Sequence, residues 1–305
     1  MPRQIEFAGR AEDCARLLAA VKDLSGISRI TLQPGASILP EGDVLSVEAA
    51  NQIGTEILNI LSDLDLLHDG AVSIGEPNAA IRAQASRPIN EEGNDAIWEE
   101  IGTMMRQDTN PSFNFLALMA LAGSVAAFGI VSGTIHVVVG AMLIAPGFEP
   151  LLRVVFGLLG HPHSVTAGLR ALAYGYLILA VAAAATTPLA LVFNDMTAAQ
   201  MEAEYWVQYW SGVQAGGVAT SLLAGIAGGV IVSSRMKVLG TGVMVALALI
   251  PSMALIGMGL AAGLPGVSLG AAGRWLVEVV CVLVGGGGVL AVKRSILHRR
   301  QPAHG

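Results

Sequence analysis

A carboxylate and a guanidinium one helical turn apart, Glu149 and Arg153, stand in or just beyond Val139 to Leu152, VGAMLIAPGFEPLL, a stretch otherwise apolar enough to cross a bilayer. A charge near the bilayer centre costs on the order of several kcal/mol unless it is paired, protonated or wet. At i,i+4 spacing the two side chains share a helix face and can form an ion pair within the helix. Two readings follow for Glu149: a proton or cation site, or a structural ion pair with Arg153. Pro146 and Pro150 in the same stretch each remove a backbone donor, so the carbonyls of Met142 and Pro146 lose their helical partners where hydrocarbon offers no water. Broken backbone at that depth faces protein or a wet cavity. Arg274 and Glu278 make a second i,i+4 pair near the outer end of the last apolar run, where snorkelling toward the interface is easy and structural pairing is expected.

Other reactive side chains point to no chemistry. His161 and His163 flank Pro162, but no further ligand is in view nearby, so a solvated turn is expected rather than a metal site; His136 is expected at an interface. Cys14 and Cys281 are spaced like neither a metal nor a disulfide framework. Nothing resembles a catalytic triad, a zinc motif, a phosphate loop or a dinucleotide fingerprint. No cofactor and no enzymatic activity are expected.

The proline-containing stretch has a counterpart. Ala141 to Pro146 reads AMLIAP, and Ala246 to Pro251 reads ALALIP, at an offset of 105 residues. Ala122-Gly123 and Ala227-Gly228 keep the same step, and Gly168-Leu169-Arg170 resembles Gly273-Arg274. With three spans between the copies the second is inverted relative to the first, giving two three-helix repeats related by an axis in the membrane plane. Pro146 and Pro251 then break the second and fifth spans near their middles.

These elements sit in a chain of 305 residues that is 53% hydrophobic and only 13% charged, too apolar for an ordinary soluble domain. Eighteen of the 23 acidic residues precede Ser112, so a polar module precedes a membrane module. The net charge of -6 argues against nucleic acid. The N-terminus lacks the apolar run of a cleaved signal peptide. Residues 1–77 show strands at Arg3 to Ala8, Ile27 to Gln33, Asp43 to Ala49 and Gly70 to Glu76, with helices at Ala11 to Leu24 and Asn51 to Leu66, the latter capped by Asn51. That order predicts a ferredoxin-like split fold, four antiparallel strands under two helices, serving as a packing or oligomerisation module or as a ligand sensor. Residues 78–112 are a polar linker (Pro77 to Gly93) and an amphipathic helix, Asp95 to Gln107.

Residues 113–293 supply six apolar runs: Phe113 to Val131, Ile135 to Gly160, Ala167 to Phe193, Ser211 to Val232, Val238 to Ala262 and Ala271 to Val292. Loops 132–134, 194–210 and 263–270 hold no Lys or Arg. Arg170, Arg235, Lys237 and the tail 294–305, with Arg294, Arg299 and Arg300, lie on the other side beside Lys293, so both termini are expected in the cytoplasm and the chain in the inner membrane. Tyr205, Trp206, Tyr209 and Trp210 in the long outer loop are expected as interfacial anchors. The glycines, including Gly216-Gly217, Gly228-Gly229 and Gly285 to Gly288, suit close helix packing or subunit contact, and the last four allow a hinge.

The segments IWEEI, SFNFLALMALAGSVAAFGIVSGTIHVVVGAMLIAPGFEPLLRVVFGLLG, LAGIAGG and GTGVMVALALIPSMALIGMGL resemble the domain-of-unknown-function 389 family, from about Ala96 to Val292. The resemblance implies a variable N-terminal region joined to a hydrophobic multi-span domain. It implies no reaction, substrate or cofactor. Glu149 stands where the first motif more commonly has a small residue, and Ser252 where the second often has another proline.

The expected protein is therefore an integral membrane α-helical bundle, six spans in two inverted repeats, with a ferredoxin-like cytoplasmic domain. Its expected activity is secondary or channel-like transport of a small solute or ion. The expected site joins Met142, Pro146, Glu149, Pro150 and Arg153 to Leu247, Pro251 and Ser252. The alternative is a non-transporting scaffold or sensor acting through the N-terminal domain. Expected partners are the lipid bilayer, a small solute or ion, and further copies of the chain.

Overall fold

The computed structural model describes residues 3–75, 98, 101–102, 105–106, 109–160, 162–234 and 240–297. The chain divides into two compact units, Met1–Glu100 with Ser295–Gly305, and Ile101–Arg294. The expected linker Pro77 to Gly93, most of the expected helix Asp95 to Gln107, and His161, Arg235, Lys237, Arg299 and Arg300 lie outside the described residues.

In the first unit, alternation sets the sheet. β1 (Arg3–Gly9) turns Ile5 and Phe7 into the core. It is followed by α1 (Ala11–Val21), β2 (Ile27–Ile38), β3 (Glu41–Ala49), α2 (Asn51–Asp63) and β4 (Ala71–Gly75), and the strands run in the order β2-β3-β1-β4 with every neighbouring pair antiparallel. Leu17 and Val21 of α1 and Ile57 and Leu61 of α2 pack with Leu45 and Val47 of β3. Gln4 and Glu6 project from β1 between the core residues, where the Gln4 amide donates to Glu6 Oε1 at 2.9 Å and to Ser46 Oγ at 3.2 Å. Arg29 pairs with Glu48. Burial raises the Cys14 thiol pKa above its ordinary value. The expected cap is one residue out: α2 begins at Asn51 and Ala50 occupies the cap position, held by its own N–H donating to the Gly26 carbonyl at 2.9 Å.

The second unit is helical: α3 (Phe113–Val131), α4 (Ile135–Ile144), α5 (Glu149–Leu158), α6 (Pro162–Phe193), α7 (Ala198–Ala203), α8 (Tyr205–Ser211), α9 (Ala215–Ser233), α10 (Gly240–Ala246), α11 (Leu249–Ala261) and α12 (Pro265–Leu297). Among the described residues α3, α6, α9 and α12 are each long and apolar enough to cross a membrane; α4 and α5, bent by 42° at their break, make a fifth span if taken together. The expected fifth run, Val238 to Ala262, is divided at Leu247-Ala248 into α10 and α11, each too short to cross alone. Leu177, Val181, Leu189 and Val192 stand exposed on α6, as suits a helix whose outer face meets lipid rather than water.

Backbone contact places α6 in the middle. A Cβ added at Gly123 of α3 would lie 2.2 Å from the Leu179 carbonyl oxygen, and one at Gly257 of α11 would lie 2.0 Å from that of Ala180. Two helices therefore touch α6 at adjacent residues, each through a glycine, the small-residue packing that lets backbones close where no hydrophobic effect drives association. α12 runs unbroken through Gly285–Gly288. On α8 the rings of Trp206 and Trp210 stack at 5.1 Å, and Trp210 is buried while Tyr205 is exposed.

Gly257→Val forces α11 off α6 and is expected to cost about 1–3 kcal/mol. The check is the thermal midpoint of the purified chain in detergent, with Gly266→Ala, which meets open space, as the neutral control.

Candidate functional site

The first break is a short stretch of non-helical chain. α4 stops at Ile144, and the Ala145 N–H makes a last helical bond to the Ala141 carbonyl at 3.2 Å. Pro146 cannot donate, the Gly147 N–H turns back to the Ala145 carbonyl at 2.8 Å, and α5 resumes at Glu149 with Pro150 in its first turn. A proline there costs little because that N–H has no intrahelical acceptor in any case. The second break follows the same logic. α10 ends at Ala246, Leu247 donates to the Val243 carbonyl at 3.2 Å, and α11 starts at Leu249 with Pro251 in its first turn.

The two breaks meet. Met142, Ala145, Gly147 and Phe148 of the first and Met244, Leu247, Leu249 and Ile250 of the second line a cavity of about 10 Å³, close to the space one water occupies. Phe148 lies over Gly228 of α9, where an added Cβ would fall 2.0 Å from the ring. Gly147 lies against Tyr176 and Ile250, with no room for a side chain.

Tyr176, in the middle of α6, supplies a donor to the first break. Its hydroxyl donates to the Gly147 carbonyl at 3.0 Å, and both groups are buried. Its ring meets Trp275 edge-on at 5.2 Å. Trp275 belongs to α12 and stands between Arg274 and Glu278, whose Nε and Oε1 pair at 2.8 Å with side chains 5% and 0% exposed. Gly217 of α9 leaves room for the guanidinium: a Cβ there would sit 2.2 Å from Arg274 Nη1. The Ser221 hydroxyl and the Ala248 backbone at the second break both face Glu278. The pair is thus wedged between α9 and the second break.

Of the expected site residues, Met142 and Leu247 line the cavity, and Pro146, Pro150 and Pro251 shape the breaks. Ser252 is fully buried, but its hydroxyl donates to the Trp210 carbonyl at 3.2 Å, away from the cavity lining. Glu149 is half-buried at the start of α5, near enough for its charge to act on Tyr176. Arg153 does not join it: the guanidinium turns to Thr109, donating from Nη1 to the hydroxyl at 2.8 Å and to the carbonyl at 3.3 Å. Arg274 pairs with Glu278 well inside α12 rather than near its outer end. α12 begins at Pro265 rather than Ala271, so Arg274 lies about 14 Å along it at 1.5 Å per residue, inside the packed unit.

Sequence reading missed Tyr176, Trp275 and Ser221, and gave Gly217 only as a packing residue. The available signals were two tyrosines, Tyr174 and Tyr176, in mid-span, away from the interfaces that aromatic belts favour, and a small residue four before a hydroxyl in α9.

With this geometry in view, residues 142–284 match the family model described as Domain of unknown function (DUF389). The chain carries a domain of the DUF389 family. The matched DUF389 segment begins in the last turn of α4 and ends in α12, so it contains both breaks, Tyr176 and the Arg274–Glu278 pair. No curated protein and no solved structure matches the chain.

Tyr176→Phe keeps the ring and removes the donor, leaving the Gly147 carbonyl unsatisfied at a cost of about 1–3 kcal/mol. A lowered thermal midpoint in detergent is the expected result; an unchanged one would mean that another donor serves the break.

Proposed function

We propose that this multi-pass membrane protein is a secondary transporter or channel-like protein for a small solute or ion, with its site where the two helix breaks meet. The observation that carries the reading is the buried Arg274–Glu278 pair packed behind two broken helices that share one cavity. Charges taken out of water at this depth are costly, and paired charges in membrane helices mark pathways more often than packing requires them. The helix-break carbonyls add acceptors for a cation or a proton-bearing water.

The finer architecture belongs to the same proposal. α10 and α11 together act as a further span, making six in two inverted three-helix repeats, a reading supported by the AMLIAP and ALALIP stretches each lying at a break. The N-terminal module is ferredoxin-like, supported by its strand order. Both termini face the cytoplasm of the inner membrane, supported by the basic residues gathered on that side. The partners are lipid, a small solute or ion, and other copies of the chain; no enzymatic step is proposed.

The size of the cavity favours a second reading. At about 10 Å³ and lined mainly by apolar side chains it is too small for a solute, and packing of this kind also suits a scaffold or sensor that acts through the N-terminal domain.

Reconstituted vesicles separate the two. Transport predicts that Glu278→Gln and Glu149→Gln each change proton or alkali-cation flux, or its pH dependence, by roughly tenfold or more, as loss of a charge-assisted contact implies. Flux no greater than in empty vesicles removes transport. The scaffold reading predicts instead that deleting Met1 to Asn94 abolishes the cellular phenotype while the helical unit still assembles.

A further inference from the structure

Glu278 of α12 is a buried carboxylate with one oxygen served and one not. The residue is 0% exposed, Oε1 accepts from Arg274 Nε at 2.8 Å, and Oε2 is buried with no hydrogen-bond partner. A buried acceptor left in that state is costly, and more so when it shares a charge.

The helix alongside supplies an oxygen but no proton. α9 and α12 pack closely: an added Cβ at Gly217 would fall 2.2 Å from Arg274 Nη1, one at Gly225 3.0 Å from Val282 Cα, and one at Gly229 2.9 Å from Gly286 Cα. The sequence separation is the same in all three pairs, and Ser221 and Glu278 share it, so the serine falls level with the carboxylate. Its hydroxyl faces Glu278 yet donates to the Gly217 carbonyl, one turn back, at 2.8 Å. What Ser221 has left for Glu278 is a lone pair.

The other groups near the carboxylate set its charge balance. On α12 these are Arg274 and Cys281; α6 brings Tyr176, and α5 brings Glu149, whose charge reaches the same tyrosine. Among the described residues, α9 and the second break face Glu278 with neutral groups, Ser221 and the backbone of Ala248. Ala248 stands between Leu247 and Leu249, which line the cavity.

Neither charge state satisfies every group. Ionised, Glu278 balances Arg274 but leaves Oε2 without a donor; protonated, it has an acceptor in Ser221 but leaves the guanidinium without its counterion. Opposing costs of this kind let a proton come and go. We infer that Glu278 is a proton-exchange site whose protonated Oε2 donates to Ser221 Oγ, and, resting on the transport reading above, that the ion moved is a proton. One proton is taken from water, one O–H bond forms at Oε2, and the carboxylate loses its charge. An alkali cation fits less well, because it needs a shell of oxygens in place of its water and would lie beside a guanidinium.

The test reconstitutes the full chain in vesicles and follows the carbonyl stretch of the protonated carboxyl by infrared spectroscopy between about pH 4 and about pH 10. A band that grows as pH falls, and that is missing in Glu278→Gln, is the expected result. Ser221→Ala removes the acceptor of the protonated form, so proton affinity is expected to fall roughly tenfold and the band to appear about one pH unit lower. An unchanged or raised midpoint in Ser221→Ala overturns the inference, since a serine that donates to the carboxylate would raise it. Absence of any band from Glu278 overturns it as well. If Glu278→Gln does not fold, the band is assigned by its displacement in Ser221→Ala. Proton flux in the same vesicles, lowered roughly tenfold or more by Glu278→Gln, supports the assignment of the ion. Alkali-cation flux without proton flux overturns that assignment. A titrating Glu278 band with no flux of either kind supports the proton site and removes the transport reading.

Discussion

Backbone carbonyls left without donors inside an apolar unit are the constraint around which the helical part of this protein is arranged. Pro146 ends a helical ladder in an apolar surrounding. A donor to the non-helical stretch that follows comes from a third helix, through the Tyr176 hydroxyl on the Gly147 carbonyl. That one bond requires α6 to run alongside the break with its tyrosine at the right height. Gly123 and Gly257 allow this, because without side chains they let α3 and α11 close onto the α6 backbone at Leu179 and Ala180. Packing and polar satisfaction are thus one arrangement rather than two.

The same economy explains where the charges lie. Arg274 and Glu278 pair with each other within α12, and Gly217 and the second break provide the space. Glu149 and Arg153 have the same sequence spacing, yet Arg153 goes to Thr109. Spacing permits an i,i+4 pair, but competing oxygens decide whether it forms. Thr109 lies 44 residues away in sequence, so no local pattern shows it.

The cavity between the breaks has room for about one water, while the Tyr176 hydroxyl donates to the Gly147 carbonyl beside it and the Arg274–Glu278 pair lies against the second break.

The sequence by itself determined the membrane class, from apolar runs that only lipid or a packed bundle can accommodate, and the strand and helix order of the N-terminal module, from period-two and helical alternation. It also located both breaks, because proline cannot donate wherever it stands. Tertiary structure alone decided that the breaks face each other, that Tyr176 serves the first and that Arg274 is buried rather than at an interface. These depend on which helices become neighbours, and in a chain where nearly every helix face is apolar, hydrophobic pattern carries no information about which face meets protein and which meets lipid.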